Sequence, residues 1–349
     1  MRWKRALTVV GVHAEGEYGK VVTGGIVDVP GRSMFDKMRY LRDRQDGLRK
    51  FLLFEPRGAA VHSANLVLPS AHPKAQLGYV IMESTEYPPM SGSNTICTVT
   101  AILETGILPV REPVTELNLE APGGLVHVSC QCRDGKVLQV KFRNVPAFVQ
   151  RLEAPIEVAG VGTITVDVAY GGMHYALVDA GRLGFSITPD EARDICVMGE
   201  KIRQAARDQL RVVHPENREI RGVTITEFMG PLRQRRNGLT ARNTVVVSPG
   251  RLDRSPCGTG TSARLAVKHA RRQIRKGQSL DHTSIIGTHF VAEIIGTTRV
   301  GGKPAVVTTV AGRGYVTDIG QYGLDPDDPL PEGYTLSDTW LRTVTSVQK

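Results

Sequence analysis

The sequence predicts an α+β protein made of two similar domains. The chain has 349 residues, enough for two domains of ordinary size. Short runs that read as strands and hairpins are interrupted by helix signals in each half, not by a regular strand–helix alternation; this argues against one doubly wound sheet. "MSGSNTICTVTA" in the first half also aligns with "PCGTGTSARLAV" in the second. Ser91 falls on Cys257, Gly92 on Gly258, Ser93 on Thr259 and Thr95 on Thr261. Self-similarity at half the chain length is the mark of two related units.

The elements follow in order. "ALTVVGVH" and "KVVTGGIVDVPG" read as strands, then Ser33 opens a helix with the stripe Met34, Met38 and Leu41, ended by Asp46-Gly47. "NLVLP" and "LGYVIME" are strands. "VTELNLEAPGGLVHVSCQC" and "KVLQVKFRNVPAFV" alternate as antiparallel strands. The second half begins near "VAGVGTITVDVAYGG". Thr188-Pro189-Asp190-Glu191 starts a helix with an N-cap, a first-turn proline and a capping-box glutamate. Its inner stripe is Ala192, Ile195, Gly199, Ile202 and Ala206. "GVTITEFMG", "NTVVVSPG" and "GRGYVTDIG" are strands, and "YTLSDTW" reads as a surface turn. The expected division is 1–160, completed by the tail 325–349, and 161–324.

Composition narrows the function. Hydrophobic content of 41% with 23% charged residues is that of a soluble globular chain. No run is long enough to span a bilayer, and no secretory signal is visible. Cys97, Cys130, Cys132, Cys196 and Cys257 are an odd set without disulfide spacing, so a reducing, cytoplasmic location is expected. The net charge of +9 is spread thinly. Its densest clusters, Arg233-Gln234-Arg235-Arg236 and Arg271 to Lys276, lack interleaved aromatics, which disfavours a nucleic-acid reader. Arg39, Arg42 and Arg44 read as a solvated helix face. In "HVSCQC", alternation turns Cys130 and Cys132 to one strand face and His127 to the other, so buried cysteines are expected rather than a metal site. Neither a dinucleotide-binding G-x-G-x-x-G in its strand–helix setting nor a P-loop is present.

The two small-residue knots carry the chemistry. Each lies where a loop feeds a helix, and a helix N-terminus offers unsatisfied N–H groups and partial positive charge to a carboxylate. Gly92 and Gly258 let a ligand approach the backbone. Ser91 alone reads as an ordinary cap. Cysteine is a poor cap, and a helix end lowers a thiol pKa, so Cys257 in the same frame points to a base near neutral pH.

At these residues the chain resembles the proline racemase superfamily. "DRSPCGTGTSARLA", Asp253 to Ala266, is similar to that family's second catalytic motif, and "EPRG", "YGGMHYALVDA" and "SIIGTHF" also fit, from about His13 to about Gly320. The resemblance implies a diaminopimelate-epimerase-like fold of two pseudo-symmetric domains with the active site in the cleft between them. It implies cofactor-independent chemistry at the α-carbon of a cyclic imino acid, without metal, and a possible homodimer. One position departs from the pattern: where racemases and 4-hydroxyproline epimerases carry Cys-Gly-His, this chain reads Ser91-Gly92-Ser93.

Two-base epimerisation needs a proton removed on one face and returned on the other, a task two thiols suit and a serine hydroxyl does not. Dehydration asks less, because in trans-3-hydroxy-L-proline the α-hydrogen and the 3-hydroxyl lie on one ring face. The Ser/Cys version resembles the trans-3-hydroxy-L-proline dehydratases, whose product is Δ1-pyrroline-2-carboxylate. The resemblance implies Ser91 as proton acceptor and Cys257 as donor. By chemistry alone Cys257 is the better base, leaving Ser91 to hydrogen-bond or protonate the departing hydroxyl. Amides at Gly92-Ser93 and Gly258-Thr259 would hold the carboxylate. Asp253 would take the ring ammonium or serve as a turn residue, and His174 would line the pocket or pack structurally. A 4-hydroxyproline 2-epimerase, a bifunctional enzyme and a non-catalytic imino-acid binder are the alternatives.

Overall fold

The computed structural model describes residues 4–235, 238–341 and 344. Arg236 of the first basic cluster and residues 342, 343 and 345–349 of the tail lie outside them. The chain divides into two compact units, Met1–Phe142 with Gly312–Lys349, and Arg143–Ala311.

The first unit contains β1 (Arg5–Ala14), β2 (Glu17–Gly24), α1 (Met34–Arg44), α2 (Gly47–Leu53), β3 (Ser63–Leu68), β4 (Leu77–Met82), α3 (Gly92–Glu104), β5 (Val114–Ala121), β6 (Gly124–Arg133) and β7 (Lys136–Arg143), with β18 (Gly314–Leu324) returning to it. β18 and β2 flank β1, both antiparallel. Then β2–β3 is parallel, β3–β4 antiparallel, β4–β5 parallel and β5–β6 antiparallel.

The second unit contains β8 (Ala147–Val158), β9 (Gly162–Tyr170), β10 (His174–Asp179), α4 (Ala192–Gln209), β11 (Ile225–Met229), β12 (Arg233–Arg235), β13 (Gly238–Val247), β14 (Arg251–Leu252), α5 (Gly258–Ala270), β15 (Ser279–Thr283), β16 (His289–Val300) and β17 (Lys303–Gly312). β8–β9 and β9–β10 are antiparallel, β10–β11 parallel, β11–β13 antiparallel, β13–β15 parallel and β15–β16 antiparallel. The first unit's succession of pairings is thus repeated. α3 lies between β4 and β5 in the chain, and α5 between β13 and β15, the corresponding place. The repeat read from twelve residues extends through the whole topology.

The division expected at 160 falls in the turn of the β8–β9 hairpin, whose strands pair from Val158↔Gly162 to Phe148↔Tyr170. Both strands therefore belong to the second unit. The one expected at 324 falls at the end of β18, which pairs with β1 from Leu324↔Arg5 to Gly314↔Ala14 and belongs to the first.

Local signals explain the helices. Ser33 caps α1 by accepting from the Asp36 amide, and the Thr188/Glu191 capping box opens a short 3-10 turn that runs into α4. Gly199 on α4 is glycine because a Cβ there would lie 2.4 Å from Val246 Cγ2. Helix α3 is different. Gly92 to Leu103 are all buried, so it is a core element rather than an amphipathic one. Burial of Ile96, Val99, Ile102 and Leu103 contributes roughly 1.5–3 kcal/mol each. The hydroxyls of Thr95 and Thr98 donate back to the Ser91 and Asn94 carbonyls, which satisfies two of the polar groups buried in that core.

Two expectations change. The Ser33 helix does end before Asp46-Gly47, at Arg44, but the same pair starts a second one: α2 buries Leu48, Phe51, Leu52 and Leu53. "YTLSDTW" is not all surface. Trp340 is fully buried, edge-on to Phe54, and Tyr334 bridges to Glu55. His127 and the Cys130/Cys132 pair do face opposite ways, His127 bonding Asn118 at the surface while both cysteines are buried. Among the described residues no group of three His, Cys, Asp or Glu side chains is placed to hold a metal, and no helix is long and apolar enough to cross a membrane.

Candidate active site

In the first unit, Ser91 stands at the N-cap position of α3 with extended backbone, yet its side chain makes no capping hydrogen bond. Its Oγ instead accepts from Asn94 Nδ2 at 3.0 Å, with Ser93 Oγ at 3.5 Å. The amide's orientation is set from behind: Asn94 Oδ1 accepts from Ser63 Oγ and Asn65 Nδ2, each at 2.7 Å. Nδ2 therefore faces Ser91, whose oxygen is an acceptor there and whose hydrogen remains available to a third group. Ser91 and Ser93 are almost fully buried, and Gly92 is buried with them. The first amides of α3 have no intrahelical acceptor, so an anion at this end meets N–H groups and the positive end of the helix.

In the second unit, Cys257 holds the N-cap position of α5 at φ +60°, ψ +106°, an uncommon conformation for a side-chain-bearing residue. Such local strain is frequent at functional positions. The turn is fixed by a relay: Asp253 Oδ1 accepts from the Ser255 amide and hydroxyl, and Ser255 Oγ accepts from the Cys257 amide. The thiol lies 3.3 Å from the Tyr175 hydroxyl, which also bonds Thr259 Oγ1 at 2.6 Å. Burial and then the Asp253 carboxylate push the Cys257 thiol well above its ordinary range, against the weaker pull of the Tyr175 hydroxyl and the Gly260 amide. The lowered thiol pKa expected from the helix end is thus reversed by desolvation. In this setting the neutral thiol is favoured over the thiolate.

Gly258 and Thr259 are buried at this helix start. Gly171, in "YGGMHYALVDA", is required by it: a Cβ there would lie 2.1 Å from the Thr259 carbonyl oxygen and 2.7 Å from the Ala263 amide nitrogen. Asn144 ties the same region together, donating to the Gly171 carbonyl and to Ser262 Oγ. His174 is surrounded as a packed histidine, with Gln150 Nε2 at 3.3 Å and the Tyr170 ring at 5.0 Å. Burial, then His214, lowers its pKa to about 3. Its neighbour Tyr175, on the other face of β10, is the residue that reaches the thiol. "EPRG" is scaffold as well: buried Lys20 donates to the Leu52 and Arg57 carbonyls, and Glu55 accepts from Thr339 and Trp340.

Sequence reasoning missed Asn94, Tyr175 and Glu227. Asn94 was inside the quoted knot. Tyr175 gave no signal of its own among the apolar residues of its strand. Glu227 was visible as a lone acid in the apolar strand "ITEFM".

Comparison with known proteins gives the family. The family model described as Proline racemase matches residues 9–335. The chain belongs to the proline racemase family. It is similar to a hydroxyproline epimerase from Agrobacterium vitis, solved with bound trans-4-hydroxy-L-proline, at 41% identity, TM-score 0.92, 97% of this chain and 98% of that one. A probable proline racemase from Agrobacterium radiobacter K84, solved with bound carbonate, is 40% identical with TM-score 0.91, covering 96% and 98%. A PhzF-family phenazine biosynthesis protein from Bacillus anthracis shares the fold alone, at 12% identity and TM-score 0.55 over 91% of this chain and 99% of that one. The fold is the mixed α/β, two-domain one.

Proposed function

We propose that the protein dehydrates trans-3-hydroxy-L-proline to Δ1-pyrroline-2-carboxylate without a cofactor, and that Ser91 and Cys257 serve one bound imino acid. The observation that carries this reading is the wiring of Ser91. Its oxygen accepts from Asn94, and its hydrogen is not used in that bond; the other contact is a long one to Ser93 Oγ at 3.5 Å. A neutral hydroxyl so placed relays a proton without ionising: the oxygen takes the α-hydrogen while its own hydrogen passes to the 3-hydroxyl on the same ring face. The C–H and C–O bonds break, the C2–C3 double bond forms, water leaves, and serine is regenerated. The enamine then tautomerises to the imine.

The carboxylate would sit against the amides of Gly92-Ser93 and Gly258-Thr259, where the charge developing on an enolate-like transition state is stabilised. Asp253 would pair with the ring ammonium, while burial still favours the neutral thiol at Cys257. Cys257, held as a thiol, is the donor of the pair, a role dehydration does not require on the opposite face. The similarity to a hydroxyproline epimerase favours a second reading, 4-hydroxyproline 2-epimerase, alone or as a side activity. Separate incubation with trans-3-hydroxy-L-proline and trans-4-hydroxy-L-proline decides between them. Formation of pyrroline product from the first is expected; turnover confined to epimerisation of the second overturns the dehydratase.

A further inference from the structure

Glu227, in the middle of β11, is fully buried, and the proposed reaction makes no use of it. Its Oε1 accepts from Asn243 Nδ2 at 3.0 Å, while Oε2 has no hydrogen-bond partner among the described residues. That unpartnered oxygen lies where a Cβ of Gly260 would be crowded. The position is 3.1 Å from Glu227 Oε2, 3.3 Å from Cys257 Sγ and 3.3 Å from the Tyr175 ring. Carboxyl and thiol thus converge on the space that the missing side chain leaves open. A second link runs through the backbone: Asn243 Nδ2 also donates to the Pro256 carbonyl, directly before Cys257.

The internal repeat gives this arrangement a counterpart. The spacing that places Ser91 on Cys257 places Asn94 on Gly260. β3 and β11 occupy equivalent places in the two topologies, and Asn65 and Glu227 are each the third residue of their strand. In the first unit, a strand residue reaches the catalytic side chain through Asn94: Asn65 to Asn94 to Ser91. In the second, the intermediary is glycine and the strand residue is an ionisable acid. We propose that Glu227 is a positioning residue that sets the protonation of Cys257, its ionisation holding the thiol in the SH form. This rests on the assignment of Cys257 as the donor thiol.

The surrounding charges are consistent with a switch near neutrality. Burial pushes the Glu227 carboxyl up to about 7 against the opposing pull of Arg264 on α5 and the Asn243 hydrogen bond from β13. Tyr175 on β10 and Cys257 face it; both are raised chiefly by burial, and the charge of Glu227 adds to the rise in each. Arg264 is itself held by the Arg242 and Gly230 carbonyls and by His282 Nε2 on β15, and it feels Asp179 on β10. His282 is kept neutral by burial and by Arg264. Asp253 adds a second negative charge at the thiol. A carboxyl that ionises before a nearby thiol spreads the pair's titration over two steps.

Alkylation of Cys257 by iodoacetamide tests this without reference to turnover. It is followed by mass mapping as a function of pH in the parent and in Glu227→Gln. The variant is expected to alkylate at lower pH, about tenfold faster at a fixed mildly alkaline pH, which corresponds to one unit of thiol pKa. An unchanged alkylation profile overturns the proposal, even if the enzyme is a dehydratase. The parent protein gives a readout that does not depend on the variant folding. The Cys257 S–H stretching band, identified by its loss in Cys257→Ala, is expected to shift without disappearing as the pH crosses neutrality. A band unmoved over that range also overturns the proposal. Turnover that fails on both hydroxyprolines would reject the dehydratase reading and leave this coupling standing or falling on the thiol measurements.

Discussion

Replacing Asn94 by Asp separates a serine that relays a proton from one that acts as a simple base. Asn94 is 2% exposed and placed by three side-chain hydrogen bonds. An aspartate of the same shape keeps the oxygen that accepts from Ser63 and Asn65. Its second oxygen takes the place of Nδ2, 3.0 Å from Ser91 Oγ, so Ser91 must now donate. The reversed bond and the buried charge should lower stability by roughly 1–3 kcal/mol, measured by urea denaturation. The hydrogen needed by the departing hydroxyl is then held by the carboxylate. A lost general-acid contribution is on the order of 10²–10⁴ in rate. Initial rates of pyrroline formation from trans-3-hydroxy-L-proline should therefore fall by at least about 10² in Asn94→Asp. If Ser91 worked as a base alone, the carboxylate would help withdraw its proton, and the variant would match or exceed the parent. That result refutes the relay.

Other outcomes follow from the same structure. Ser91→Cys restores a thiol to the first knot and should gain epimerisation of trans-4-hydroxy-L-proline, read by chiral chromatography; no gain would remove the two-thiol argument. Asp253→Asn keeps the acceptor for Ser255 but removes the charge, so KM should rise at least about tenfold while alkylation of the free Cys257 thiol becomes faster, because its pKa falls. Gly171→Ala places a methyl 2.1 Å from the Thr259 carbonyl; displacement of α5 should cost more than about 2 kcal/mol in denaturation experiments and lower kcat. His174 titrates at about 3 when folded and near 6.5 when unfolded. The depressed folded value means its contribution is complete above pH 6.5 and is lost as pH falls toward 3, by up to about 1.4 kcal/mol per pH unit. His174→Gln should flatten that part of the stability–pH curve, and a curve with an unchanged slope would contradict the assigned burial.

The sequence made legible whatever depended on local pattern. The twelve-residue repeat announced a duplicated fold because glycine and hydroxyl residues at a helix start are local requirements. Thr188 and Glu191 announced α4 through their own hydrogen bonds. What escaped depended on neighbours distant in sequence. Asp46-Gly47 looked like a helix stop, but a core that accepts Leu48, Phe51 and Leu52 restarts the helix. Trp340 looked exposed until a distant Phe54 covered it. The acidity of Cys257 was inferred from the helix end alone, a local effect. The Asp253 charge is local, four residues away, but the burial that outweighs the helix end arises only when β10, β11 and α5 come together. Glu227 was visible as an oddity, but its relation to the thiol required the fold.

The duplicated scaffold also explains why a serine can stand in one knot without mirroring the cysteine in the other. Ser91 is served by neutral groups, Ser63, Asn65 and Asn94, whose hydrogen bonds fix a direction and carry no charge that varies with pH. Cys257 is served by Tyr175, Asp253 and the carboxyl of Glu227, all ionisable and all close enough to alter its acidity. A neutral, directed network suits a hydroxyl that must accept and give a proton in one event. An ionisable network suits a thiol whose protonation must be held. Exchanging Ser91 for cysteine therefore changes more than a nucleophile: it places a thiol against the neutral side chains of Ser93 and Asn94. If the proposed dehydration is the reaction, that difference is a physical reason why a Ser/Cys pair would serve elimination on one ring face, where a symmetric pair of thiols would serve exchange between two.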